Sequence, residues 1–182
     1  MQKRHTDRES YFGEQSQTSK NYYIPYIKEV IGHIPDKVLE VGCGEGGNLL
    51  PFAEAGCRVM GVDIDAMRIE QARTFFAQRH QQGQFIATDI FQLKDKATNF
   101  PLILLHDVIE HIRDKERFLS GLQKHANSIY CMSYVGMIRR ESVASGNEYP
   151  MRPASYIRTA PTVYPSSSPA GTWFAGNAQA SF

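Results

Sequence analysis

The stretch VLEVGCGEGGNLL, Val38 to Leu50, sets an apolar run directly before four glycines in six positions. A short run of this kind reads as a buried strand, and Gly42, Gly44 and Gly46 let the chain turn sharply and let a ligand approach the main chain. The helix expected just beyond would open with free amide groups facing that ligand. Strand, glycine turn and helix together make a nucleotide-type site. Gly42, Gly44 and Gly47 also satisfy G-x-G-x-x-G, so the glycines alone leave a nicotinamide or flavin cofactor open.

Outward from this loop, apolar segments alternate with segments of helical period from about Lys37 to Val135, the pattern of a parallel sheet with crossover helices. The strands read as KVLEVG, RVMGVD, QFIATDI, PLILLHDV and SIYCMSYV. Helices fall over NLLPFAEAG, with Gly56 ending it, over AMRIEQARTFFAQRH behind an Asp65 cap, and over KERFLSGLQKHA behind an Asp114 cap. Upstream, NYYIPYIKEVIGHI has an amphipathic helical period ending near Pro35, preceded by a polar arm dotted with aromatics. The expected fold is α/β, a Rossmann-like doubly wound and mostly parallel sheet with flanking helices. Its parts are an arm and helix over 1–36, a ligand-binding core over 37–138 and a tail over 139–182.

Composition narrows the partner. The chain has 182 residues, 42% of them hydrophobic, and a net charge of +1, which suits one domain and gives no electrostatic footprint for nucleic acid. MQKRHTDRES lacks the apolar core of a signal peptide, and LILL is far below a membrane span, so a cytoplasmic protein is expected. Cys43, Cys57 and Cys131 contain no CxxC pair, which argues against a zinc site or a disulfide framework. Oligomeric state has no signature here.

The acids near the glycines discriminate better than the glycines do. Glu40 stands two residues before Gly42, where a pyrophosphate gains nothing from another negative charge and a cationic ligand does. Asp63 closes the second strand, where a carboxylate accepts hydrogen bonds from both hydroxyls of a ribose. Asp89 closes the third strand, in reach of the next part of the same crevice, where it can accept from an adenine amino group.

Taken together, LEVGCGEGG, GVDID, ATDI and LLHDVIEHI resemble the class I S-adenosylmethionine-dependent methyltransferases, in order from Val38 to Ile112. The resemblance implies S-adenosylmethionine as cofactor, with S-adenosylhomocysteine as product. It implies that Glu40, Gly42, Cys43, Gly44 and Gly46 wrap the methionine end, and that Asp63 holds the ribose with Ile64 against the adenine. Asp89 would meet the adenine amine with Ile90 beside it, and His106, with Asp107, would line the methionine moiety. The EHI at Glu110 to Ile112 is similar to the small-molecule branch that includes quinone-biosynthesis methyltransferases, which implies a small-molecule acceptor.

Methyl transfer from a sulfonium mainly requires the acceptor atom to be held in line with the methyl group. Where the acceptor is a hydroxyl or a protonated amine a base helps, and His106 and His111 are the candidates because imidazole titrates near neutrality. His111 can equally pack behind the cofactor loop. A metal site is not expected, since histidines five apart lie about 140° apart around a helix.

Tyr11, Phe12, Tyr22, Tyr23 and Tyr26 suggest an N-terminal lid, while Ile24, Ile27 and Ile31 would equally anchor a helix to the sheet. After Arg140 the chain changes character. Glu141 to Phe182 holds five of the nine prolines and no sustained period. The family resemblance implies a further helix and an antiparallel strand pair there, so the C-terminal strands are expected to be missing or altered and the tail disordered or aberrant. A binding module without catalysis, a truncated inactive methyltransferase and an NAD-dependent oxidoreductase are the alternatives to an enzyme of methyl transfer.

Overall fold

The computed structural model describes residues 7–93, 99–123, 126–132 and 162–165. Five parallel strands and one antiparallel strand form a single sheet in the order β3-β2-β1-β4-β5-β6. The strands are β1 (Lys37–Val41), β2 (Arg58–Asp63), β3 (Gln84–Ala87), β4 (Phe100–His106), β5 (Ala126–Met132) and β6 (Thr162–Pro165). The chain runs outward from β1 to β3 and then returns to β4 on the other side of β1. That reversal opens a crevice at the carboxyl ends of β1 and β4, the place where such sheets bind ligands.

Strand alternation divides the core between the two faces. Val38, Val59, Leu102 and Leu104 pack on one face with Phe12, Ile27, Leu49, Phe52 and Phe76. Leu39, Val41, Met60, Val62, Ile103 and Leu105 pack on the other with Leu122 and Ile129. Both faces are covered, which is why β4 reads as a continuous aliphatic run. The same period of two puts Glu40, Asp63 and His106 on the first face, under the N-terminal helices.

The crossover helices follow their signals. A 3-10 turn at Gly47–Leu49 leads into α3 (Leu50–Glu54), and Asp65 caps α4 (Ala66–Gln78) by accepting from the amides of Met67 and Arg68. Asp114 caps α5 (Lys115–Leu122) through the Arg117 amide, and the helix stops short of the predicted KHA segment, of which Lys124 and His125 lie outside the described residues. β3 ends at Ala87, so Asp89 stands beyond it and caps a 3-10 turn over Ile90–Gln92.

Two sequence expectations need correction. The first concerns the N-terminus, where the predicted polar arm is a helix. α1 (Arg8–Thr18) is capped by Asp7, passes through a π-turn at Ser19–Tyr23 and continues as α2 (Ile24–Ile31). Pro25 explains the wide turn, since its ring has no amide hydrogen and crowds the carbonyl of the preceding turn, a clash that widening relieves. α2 ends at Gly32, in the left-handed region at φ 86°.

The second concerns the tail. Four of its residues, Thr162–Pro165, form β6 and pair antiparallel with β5 in the register Ser128 to Pro165 through Cys131 to Thr162. A strand therefore exists in a segment that reads as irregular. Pro165 is tolerable because it sits at the end of an edge strand, where a missing donor costs little. The remainder of the tail expectation, and residues 133–138 of the predicted core, lie outside the described residues.

Candidate functional site

The crevice is a cleft of about 450 Å³ at the carboxyl ends of β1, β2 and β4. The glycine loop forms its floor. Gly42 adopts φ 72°, and a Cβ there would run into the Val108 side chain, so only glycine lets the loop and the segment after β4 close on each other.

The loop amides are committed within the protein. Gly42 and Cys43 both donate to the Val62 carbonyl at 2.7 and 3.1 Å, and Gly46 donates to the Cys43 carbonyl at 2.8 Å. Gly44 donates to Asp63 Oδ2 at 2.8 Å, while Asp63 Oδ1 accepts from the Asp65 amide at 2.9 Å. Asp63 therefore holds the loop and the start of α4 together. With four amides used internally, the loop does not offer the open row of donors that a pyrophosphate requires.

What the site offers is acceptors. Among the described residues, three buried side-chain polar atoms have no hydrogen-bond partner: Gln15 Oε1, Glu40 Oε2 and Asn48 Oδ1. All three are oxygens, and all flank the glycine loop. Glu40 is 1% exposed and accepts from Asn48 Nδ2 at 2.7 Å through its other oxygen. Burial pushes the Glu40 carboxyl up to about 8, against the lowering effect of the Asn48 hydrogen bond and with a further push from Asp63. Unpartnered buried acceptors beside a raised carboxyl fit a ligand that brings N–H donors and positive charge. The ammonium and sulfonium of S-adenosylmethionine meet that requirement; a pyrophosphate does not.

The predicted residues divide by position. Gly42, Cys43, Gly44, Asp63, Ile64, Asp89, Ile90, His106, Asp107 and His111 line the cleft. Glu40 is buried and does not line the cleft, and neither does Gly46, which packs against Phe76 and Phe85. Ile64 is 82% exposed at the rim, whereas Ile90 is buried in the wall. Burial of Cys43, with Glu40 and Asp63 close by, raises its thiol and keeps it uncharged.

His106 closes β4 on the covered face, with the Tyr23 ring 5.7 Å away and Nδ1 3.7 Å from Asp107 Oδ2. Burial lowers its basicity, while Asp107 and Glu110 pull the other way. His111 belongs to a 3-10 turn over Ile109–His111, so the helical angle between the two histidines does not arise, and both reach the same cleft.

Sequence reasoning missed the charge lock of the loop. Glu45 is 1% exposed and pairs with Arg8 from α1 at 3.1 Å and with Arg68 from α4 at 3.3 Å. Arg8 also donates to Gln71 at 2.7 Å. An acid inside a glycine loop is itself the signal, because a buried carboxylate demands counter-charges. Tyr11, Gln15 and Arg68 line the cleft and were also missed as site residues, although Tyr11 was read as part of a lid. Phe12 of the same helix is fully buried against Phe75 and Phe76, so α1 both covers the cleft and anchors to α4.

Residues 39–128 match the family described as a methyltransferase domain. Over these residues the core is similar to a methyltransferase domain. Among its relatives, the ubiquinone biosynthesis O-methyltransferase of Bartonella bacilliformis is 33% identical over 88 residues, covering 48% of this chain and 36% of the relative. The corresponding protein of Bartonella quintana is 34% identical over 92 residues, covering 50% and 37%. The matches thus span little more than a third of these curated relatives. Magnesium protoporphyrin IX methyltransferase from Synechocystis PCC 6803, solved with bound SAH, superposes with a TM-score of 0.55 at 25% identity, covering 65% of this chain and 55% of that one. The methyltransferase domain, like the loop geometry, does not favour the dinucleotide alternative.

Proposed function

We propose that this chain is an S-adenosylmethionine-dependent methyltransferase acting in the cytoplasm on a small-molecule acceptor rather than on nucleic acid. The observation that carries the reading is the set of three buried, unpartnered acceptor oxygens around a glycine loop whose amides are already used. The methyltransferase-domain match and the names of the relatives support it.

In this reading Glu40, oriented by Asn48, faces the positively charged amino-acid end of the cofactor. Asp63 keeps lone pairs for the ribose hydroxyls while it holds the loop. Ile64 and Ile90 flank the adenine, and Asp89 accepts from its amino group. Gly42, Cys43 and Gly44 give the main-chain floor on which the ligand lies. Bound S-adenosylmethionine supplies a methyl group already activated on a sulfonium.

The chain's remaining task is position and, for a hydroxyl acceptor, proton removal. His106 is the proposed base, because its lowered basicity leaves the imidazole neutral and able to accept a proton at neutral pH. His111, on the same wall, is its proposed companion. α1, with Tyr11 over the cleft, excludes water from the reacting groups.

The test is transfer of isotopically labelled methyl from S-adenosylmethionine to a panel of small hydroxylated aromatic acceptors. Label is expected in an acceptor. Replacing His106 by Ala should lower kcat about 100-fold or more, the loss typical of a general base. Turnover unchanged at every pH in His106→Ala and His111→Ala would remove both histidines from the chemistry.

A further inference from the structure

The N-terminal helix α1, as well as the glycine loop, contributes a polar side chain to the cleft. Gln15 of α1 lines the cleft, and its side-chain nitrogen donates to the Tyr11 hydroxyl at 3.3 Å. The other end of the amide, Oε1, is buried without a hydrogen-bond partner. It lies 2.8 Å from where a Cβ on Gly47 would stand, so α1 rests directly on the loop backbone and any side chain at that position would push the amide aside.

The neighbouring unpartnered oxygens come from the same few residues of chain. Asn48, next to Gly47, holds Glu40 by one atom of its amide and leaves the other unpaired. The π-turn that follows α1 is tied to this point by the buried Ser19 hydroxyl, which donates to the Asn48 carbonyl at 2.7 Å. Gln15 lines the cleft, while Asn48 and Glu40 are buried beside the glycine loop, so one helix, one loop and one strand supply the three unpartnered oxygens.

We infer that Gln15 is a cofactor-binding residue that accepts a hydrogen bond from the α-ammonium of S-adenosylmethionine. The inference rests on the methyltransferase reading above. An ammonium has three donors arranged tetrahedrally, so one acid cannot satisfy it, and a second acceptor on a separate element lets the ligand tie α1 to the sheet. Arg8 and Arg68 cannot substitute in this role, since they are donors and already pair with Glu45.

The experiment compares two ligands by calorimetric titration of the whole chain. S-adenosylhomocysteine carries the amino-acid end; 5′-methylthioadenosine carries the adenosine and lacks that end. In Gln15→Leu, affinity for S-adenosylhomocysteine should fall about tenfold or more while that for 5′-methylthioadenosine stays as in the unmodified protein, as expected for loss of a hydrogen bond to a charged group. Gln15→Glu, which keeps the acceptor and adds negative charge, should bind S-adenosylhomocysteine at least as tightly as the unmodified chain.

Asp63→Ala should weaken both ligands, since it acts at the ribose. Equal weakening of the two ligands in Gln15→Leu, or no weakening of either, overturns the assignment, and so does a Gln15→Glu variant as weak as Gln15→Leu. If the unmodified chain binds neither ligand, the methyltransferase reading fails and the assignment falls with it, an outcome distinct from the others.

Discussion

Glu40 is the residue on which most of the site turns. A carboxyl buried behind a glycine loop and held by one amide is stable only while it keeps its proton or meets a cation. Its folded-state value near 8 exceeds the ordinary 4.5, so in the free protein the proton is bound more tightly folded than unfolded. The stabilising contribution is present below pH 4.5 and is lost as pH rises through about 8. Relative to Glu40→Gln, the unmodified chain should lose about 1.4 kcal/mol per pH unit across that window. Urea denaturation of both proteins at pH 5.5, 6.5 and 7.5, roughly spanning that window, measures it; a difference independent of pH would show that Glu40 is ionised in the folded state. Glu40, Asp63 and Asp89 were legible in the sequence because each ends or follows an apolar run. Gln15 and Asn48 were not, since an amide in a helix or a turn carries no pattern until the fold shows what it faces.

Among elements, α1 shows most clearly what sequence period conveys and what it leaves out. The crossover helices were legible from their apolar faces and their aspartate caps, as at Asp65 and Asp114. α1 buries only Phe12 and has no apolar stripe, so its period is silent. It is held instead by the Arg8 pair with Glu45, by the Arg79 guanidinium 4.5 Å over the Phe12 ring and by the close approach to Gly47. β6 was hidden for a related reason: four residues ending in proline are too few for a period, and their pairing with β5 decides them. Replacing Glu45 by Ala leaves Arg8 and Arg68 without their shared partner inside the fold. It should cost about 1–3 kcal/mol and make α1 the first site of limited proteolysis. Cleavage at the same rate and in the same order as in the unmodified chain would mean that the Phe12 packing and the approach to Gly47 anchor the helix without the Glu45 pair.

For the molecule as a whole, strand order, charge and the family match converge on one end of the sheet. The parallel order with its reversal at β1 and β4 places the cleft, the committed loop amides exclude a pyrophosphate floor, and the unpartnered oxygens call for a cationic ligand. The parallel sheet with its crossover helices was legible from the alternation of apolar and helical segments. The acceptor was not, because the residues that choose it lie in loops rather than in the periodic core. The most direct test of the central claim is calorimetric titration of the purified chain with S-adenosylmethionine, S-adenosylhomocysteine and NADH under one set of conditions. Saturable binding of both adenosyl ligands with none for NADH is the predicted result; binding of NADH alone would contradict it and return the glycine loop to the dinucleotide enzymes.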